Sequence, residues 1–254
     1  MESVMMPPAN GLEAAIQIVD LAESRGIRLR LLGGLAFKSL CPSARDSRYC
    51  RENKDIDLMG RREDSKEIMK TLETLGYKPR EVFNKLNMGQ RFIYYDLGNK
   101  RRVDVFLDEF AMCHKFNFKE SILADTYTLP ITQLVMTKLQ VVEMTDKEYL
   151  DLIAAFRDFA LTDHGVGIRG DEIAALCAKD WGMYTTFHKS LTALSAKATT
   201  LDEEDGKRIR SKVEKLIEMM DSHPKSLSWR MRARIGERAR WYELPESDSD
   251  AVFS

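Results

Sequence analysis

The run "KDIDLMG" at residues 54–60 limits the fold more than any other stretch of this chain. A strand sends successive side chains to opposite faces. Asp55 and Asp57 then project from one face, and Ile56 and Leu58 from the other. The apolar pair asks for a core beneath it, so the strand is expected to be half-buried. The acidic pair sets two like charges side by side, which repel. Either these are solvated acids on an open face or something cationic relieves them.

The stretches around this strand fix its setting. Asn10 is placed to cap a helix running to about Arg25, with Leu12, Ala15, Ile16, Ile18 and Val19 on its apolar side and Gly26 at its end. "IRLRLLGG" alternates as a strand and closes on the glycine pair Gly33-Gly34, from which "LAFKSL" continues as a short helix. Residues 41–53 are polar and irregular and read as a loop. "EDSKEIMKTLETLG" is amphipathic and helical. "RFIYYDLG" and "RRVDVFLDE" are two aromatic and β-branched runs joined by a turn at "GNKR". The order gives an α/β (α+β) arrangement: a small mixed sheet with flanking helices.

After Leu129-Pro130 the pattern changes to helical periodicity, and no strand is expected there. The expected plan is an arm at 1–9, an α/β domain at 10–128, an all-helical C-terminal domain at 129–244 and an acidic, disordered tail at 245–254. Over the 254 residues the net charge is −1, so no global field marks nucleic acid or membrane as partner. No apolar run is long enough to span a bilayer, and no secretory leader is read at the N-terminus. The four scattered cysteines have no zinc-ligand spacing. These features point to a reduced, cytoplasmic protein without a membrane partner.

Two further features turn the acid pair into a candidate site. Asp104 lies between Val103 and Val105 in "RRVDVFL", and it reaches the same spot if its strand pairs beside the first. The glycine pair lets backbone approach a ligand, and the helix N-terminus it opens offers free N–H groups to a phosphate. Clustered carboxylates suit a hard cation, Mg²⁺ or Mn²⁺. Two such ions can activate a hydroxyl and neutralise a leaving pyrophosphate.

A glycine pair at a helix start, D-x-D on the next strand and a third Asp on a later strand resemble the nucleotidyltransferase superfamily, whose fold is shared with DNA polymerase β. "LLGGLAFKSL" with "RENKDIDLMG", and then "LPITQLVMTKLQVVEMTDKEYLDL", look most like the AbiEii-type nucleotidyltransferases, a group containing toxins of toxin–antitoxin systems. The resemblance covers about residues 30–155. It implies a metal-dependent enzyme moving a nucleotidyl group from an NTP to an RNA, protein or small-molecule hydroxyl. It implies metal binding by Asp55, Asp57 and Asp104, and triphosphate binding by Gly33 and Gly34. Lys138 and Asp151 match the family's later Lys and Asp. The chain departs from the pattern in two places: Gly34 and Asp55 are 21 positions apart, longer than usual, and Glu148 stands where Asp is commoner. The intervening loop would account for the first, as a lid.

Residue by residue, other readings stay open. Lys138 interrupts an apolar helical stripe of Leu134, Val135, Val141 and Val142; it either snorkels outward or points an ammonium at phosphates. Asp151 is explained as well by an i,i+4 pair with Lys147. Lys54 and Arg51 precede the acid pair and meet either nucleotide phosphates or local acids. Residues 225–240 hold Lys225, Arg230, Arg232, Arg234, Arg238 and Arg240 against Glu237, flanked by aromatics. That segment is either an RNA or tRNA contact or a solvated helix face. A silent nucleotidyltransferase-fold module that binds nucleotide or a protein partner, and a toxin held by an antitoxin, are the rival expectations.

Overall fold

The computed structural model describes residues 6–244; the expected acidic tail at 245–254 and the first five residues of the expected arm lie outside the described residues. Helix α1 (Gly11–Ser24) starts where Asn10 Oδ1 accepts from the N–H groups of Leu12 and Glu13, at 2.9 and 3.3 Å. It leads through β1 (Leu29–Leu32) directly into α2 (Gly33–Leu40), then to β2 (Asp55–Gly60) and α3 (Ser65–Thr74). Next come β3 (Lys78–Pro79), α4 (Glu81–Leu86), β4 (Arg91–Asp96) and β5 (Arg101–Leu107), followed by a small hairpin of β6 (Glu109–Ala111) and β7 (Lys115–Asn117). The sequence reading did not anticipate β3, α4 or the small hairpin, all of which are shorter than a periodicity window.

The sheet order is β1-β2-β5-β4-β3. Strands β2 and β5 run parallel, and every other pair is antiparallel. This is the small mixed sheet of a nucleotidyltransferase fold. Its two faces divide by parity. Ile56, Leu58, Val103, Val105, Phe92 and Tyr94 are fully buried on one face. Gly60 on that face lies against Ile68 of α3, and α1 packs on both β1 and α3. The other face carries Asp55 and Asp57 of β2, Arg102, Asp104 and Phe106 of β5, and Arg91 of β4. Period two alone separates the core from the site.

The C-terminal region holds α5 (Ile131–Leu139), α6 (Asp146–Asp158), β8 (Leu161–Thr162), β9 (Ile168–Arg169), α7 (Gly170–Lys179), α8 (Trp181–Ala198), α9 (Glu203–Ser222) and α10 (Leu227–Ile235). It is helical, with one correction: β8 and β9 form a short parallel pair where no strand was expected. Two helical stretches are interrupted. The stretch 170–198 breaks at Asp180, whose carboxylate caps α8 through Met183 N–H at 3.0 Å. Helix α10 stops at Gly236, which has a φ of 59°. One apolar core runs from α1 to α9, so residues on both sides of position 128 share it.

The loop at 41–53, expected to act as a lid, is bonded to the helical region. Ser43 N–H donates to Asp158 at 2.8 Å, Tyr49 OH to Asp205 at 2.9 Å, and Arg51 to Asp151 through two bonds. Three side chains of α6 and α9 therefore anchor it. At the other end of the chain, Pro8 and Ala9 carbonyls accept from Arg101, and Pro7 accepts from Asn99, so the inner part of the expected arm rests on the body. Among the described residues no helix is long and apolar enough to cross a membrane.

Candidate active site

Strands β2 and β5 set Asp57 and Asp104 directly opposite one another, and Asp55 opposite Arg102. Neighbouring strands are spaced about 4.8 Å apart. The three expected acids therefore share one patch of the sheet, although they differ in exposure. Asp55 is exposed, Asp57 is half-buried and Asp104 is buried. Burial, together with Asp104 and Asp55 beside it, pushes the Asp57 carboxyl up to about 7; Lys138 and Arg91 pull the other way. The repulsion inferred from the sequence is thus present and falls on Asp57.

The glycine pair abuts this patch. Gly33 has a φ of 66°, in the left-handed region that favours glycine. A Cβ there would also be driven into the Asp57 carboxylate. At Gly34 a Cβ would strike Asn53 and the Arg51 guanidinium. Helix α2 opens at Gly33 with no side chain capping it, so its first amide groups face the acid patch uncapped.

A cavity of about 710 Å³ lies over this face. Gly33, Asp55, Asp57, Arg91, Arg102 and Lys138 line it, as do Phe83, Phe106 and Phe110 at one side and Glu109, Glu148 and Glu243 around its wall. Its size is in the range of small-molecule sites. Asp104, Gly34, Asp151 and Lys54 are not on its lining.

Each of those four has a physical reason. Asp104 lies beneath two arginines. Arg91 Nε and Nη2 both donate to its Oδ1, at 2.9 and 2.6 Å, and Arg102 Nη2 donates to the same oxygen at 3.1 Å. Arg102 Nε is 2.7 Å from Oδ2, without its N–H aimed along that line. Gly34 is covered by Arg51 and Asn53. Asp151 is buried rather than on a polar face, and it bonds Lys138 at 2.9 Å and Arg51 at 2.9 and 2.8 Å, replacing the expected partner Lys147. Burial pushes the Asp151 carboxyl up, but Lys138 and Arg51 outweigh it and hold the carboxyl below its ordinary range. Lys54 is largely exposed and 3.9 Å from Glu52, so it belongs to the local acids.

Lys138 does not snorkel. Its side chain is 12% exposed and its ammonium is fixed by Asp151, with Glu148 at 3.7 Å and the Phe37 ring of α2 at 6.0 Å. Glu148 holds the start of α6 by accepting from Thr145 N–H and Oγ–H at 3.0 and 2.6 Å, and Lys138 with this cap keeps its carboxyl low despite burial. Among the described residues no group of three His, Cys, Asp or Glu side chains is gathered as a ready metal cage. The guanidinium groups on Asp104 explain why that acid does not join the other two.

Sequence reasoning missed Arg91, Arg102 and the phenylalanine wall, and it undervalued Arg51. Arg102 carried a signal: two residues from Asp104, it had to share that acid's face. Arg91 carried none, because its approach depends on the β4–β5 register. Of the basic residues at 225–240, Lys225 and Arg232 turn inward, Lys225 toward Met220 O and the rings of Tyr184 and Trp229, and Arg232 onto Gly236 O, Ala239 O and the Trp181 ring. Arg230, Arg234, Arg238 and Arg240 are exposed.

Residues 14–96 match the family model for aminoglycoside-2''-adenylyltransferase. That span includes the glycine pair, Asp55 and Asp57, and stops before Asp104. The matching family is not the AbiEii-type group. No curated protein matches the sequence. Among solved structures, the solution structure of the antibiotic-resistance factor ANT(2'')-Ia, titled as revealing substrate-regulated conformation dynamics, is similar over 82% of this chain and 93% of its own, at 14% identity and a TM-score of 0.37. The family match falls on the strand and glycine pair that build the acid patch, and over that part, about a third of the chain, the sequence is similar to a nucleotidyltransferase family.

Proposed function

We propose that this chain moves the adenylyl group of ATP to a hydroxyl of a small, amine-bearing acceptor such as an aminoglycoside, releasing pyrophosphate. The observation that carries this reading is the cavity, which holds Asp55, Asp57, Gly33 and Lys138 on one surface. Its volume suits a nucleotide and a small acceptor better than a folded macromolecule. Glu109, Glu148 and Glu243 make the wall acidic for an acceptor carrying ammonium groups, with Glu109 2.8 Å from Lys115 and Glu148 3.7 Å from Lys138. The family matched by residues 14–96 is named for that type of reaction.

In this reading residues 10–128 hold the nucleotide, and residues 129–244 close the cleft through Lys138. The Gly33 amide and the Lys138 ammonium bind phosphate oxygens and stabilise the charge that develops on them. Asp55 and Asp57 fit a divalent cation, Mg²⁺ or Mn²⁺, because the raised Asp57 carboxyl marks a site where negative charge is in excess. When bound, such an ion neutralises phosphate charge and favours the leaving pyrophosphate. Asp104 is the third acid, placed to take the acceptor proton once its oxygens are free. Asp151 acts through Lys138 and Arg51, not on substrate.

The toxin-type reading, with RNA such as a tRNA end or a protein as acceptor and an antitoxin as partner, has the four exposed arginines of 230–240 in its favour. One experiment separates the readings. Each α-³²P-labelled NTP is incubated with Mg²⁺ or Mn²⁺ and a panel of aminoglycosides, total tRNA or total protein, beside Asp57→Asn. Label from ATP alone on an aminoglycoside, lost in the variant, is the expected result. Label on tRNA or protein instead favours the toxin-type reading. Nucleotide binding without transfer to any pool favours the silent module.

A further inference from the structure

We propose that Arg91 is a positioning residue that masks Asp104 in the nucleotide-free cleft and is drawn off it by the anionic triphosphate. This rests on the reading of the cavity as the nucleotide site.

The argument begins with lone pairs. A carboxylate oxygen offers about two acceptor directions. Asp104 Oδ1 receives three donors, two from Arg91 and one from Arg102, and Arg102 Nε stands beside Oδ2. Little of that carboxylate is left for a cation or an acceptor hydroxyl, and it does not reach the cavity lining. The same acid lies in register with Asp57, where negative charge is in excess. Asp55 and Asp57 thus line the cavity, while Asp104 lies beneath its arginines.

The two arginines are not equivalent. The Arg102 side chain is 10% exposed and lies within the sheet face. The Arg91 side chain, which lines the cavity as Arg102 does, is 28% exposed and leaves β4 at its first residue. Its guanidinium lies 4.9 Å from the Phe106 ring centre and 5.8 Å from that of Phe83. A flat cation on aromatic faces keeps a favourable contact as it shifts along them. Arg91 can thus exchange a carboxylate for a phosphate, whose oxygens also accept the two-pronged guanidinium, without leaving the cavity. The consequence is an order of events: nucleotide enters, Arg91 turns to phosphate, and Asp104 is released for a cation or the acceptor hydroxyl. No bond is made or broken in this step.

Two binding measurements test it without turnover. The first is Mn²⁺ binding to the nucleotide-free protein, followed by electron paramagnetic resonance. Arg91→Gln is expected to bind Mn²⁺ about tenfold more tightly than wild type, since one charged hydrogen-bonding partner no longer competes for Asp104. Arg91→Gln/Asp104→Asn should lose that gain. The second is ATP binding in EDTA, followed by calorimetry. Arg91→Gln should bind about tenfold more weakly, and Arg91→Lys, which keeps the charge but not the fork, should fall between. Unchanged Mn²⁺ affinity in Arg91→Gln overturns the masking. Tighter Mn²⁺ with unchanged ATP binding overturns the hand-over. If Arg91→Gln does not fold by circular dichroism, Arg91→Lys alone decides by the same readouts. Failure of the acceptor assignment leaves both measurements intact, and absence of ATP binding in wild type would instead refute the nucleotide-site reading.

Discussion

Two aspartates in this molecule are each held by two cations, and they are held for different ends. Asp104 sits on the sheet, gripped by Arg91 and Arg102 from β4 and from its own strand. Asp151 sits on α6, gripped by Arg51 from the loop and Lys138 from α5. In the first pairing the acid is the working group of the proposed reaction, and the outer arginine is partly exposed beside an open cavity. In the second the acid is 4% exposed in its side chain, and it is a cation, Lys138, that is presented to the cavity. The same ion-pair chemistry masks a group in one place and aims one in the other. What differs is which partner faces the cleft.

The sharpest way to break this comparison is to remove each acid in turn. Asp104→Asn is expected to lower transfer by roughly 10³-fold, as loss of a general base does, with little change in the urea midpoint. A variant that unfolds instead would make Asp104 structural. Asp151→Ala should do the reverse in kind. It strands Arg51 and Lys138, two largely buried cations, and should cost about 3–5 kcal/mol of unfolding free energy by urea titration. Phosphate binding should weaken as well, because Lys138 loses its anchor.

A smaller effect separates the acids by pH. The folded Asp151 carboxyl lies below its ordinary value of 3.8 because Lys138 and Arg51 outweigh burial. Its contribution to stability is therefore present above that value and is lost as pH falls through the folded one. Unfolding free energies measured between pH 6 and pH 2 should fall less steeply in Asp151→Asn than in wild type. Equal slopes would show that the pair contributes no net stability. The smallest effect is expected at Lys54, which is outside the cavity. Lys54→Ala should leave transfer unchanged and stability within about 0.5 kcal/mol. A tenfold loss of activity there would bring the loop back into the site.

Much of this was legible before the fold. The D-x-D run put two acids on one strand face because period two leaves no other choice, and β2 carries them so. Asp104 could be paired with them because an acid between two valines belongs on the open face of a buried strand. The glycine pair was legible as a backbone approach, and Gly33 is that approach, pressed against Asp57. For Asp151 the sequence offered Lys147 as partner through i,i+4 spacing; a buried acid with distant cationic partners looks the same in sequence as a solvated one. The anchors of loop 41–53 were not legible for the same reason, since Asp158, Asp205 and Asp151 lie about 100 residues away or more.

What the sequence determined by itself is therefore local and periodic: which residues share a strand face, where helices begin, and that charge is crowded at Asp55 and Asp57. Those follow from backbone geometry within a few residues. Only the tertiary structure decided who relieves that charge. Arg91 meets Asp104 through strand register, and Arg51 and Lys138 meet Asp151 through a loop crossing to the helices. Register and long-range packing are set by the total apolar burial of the whole chain, and no window of residues contains that sum.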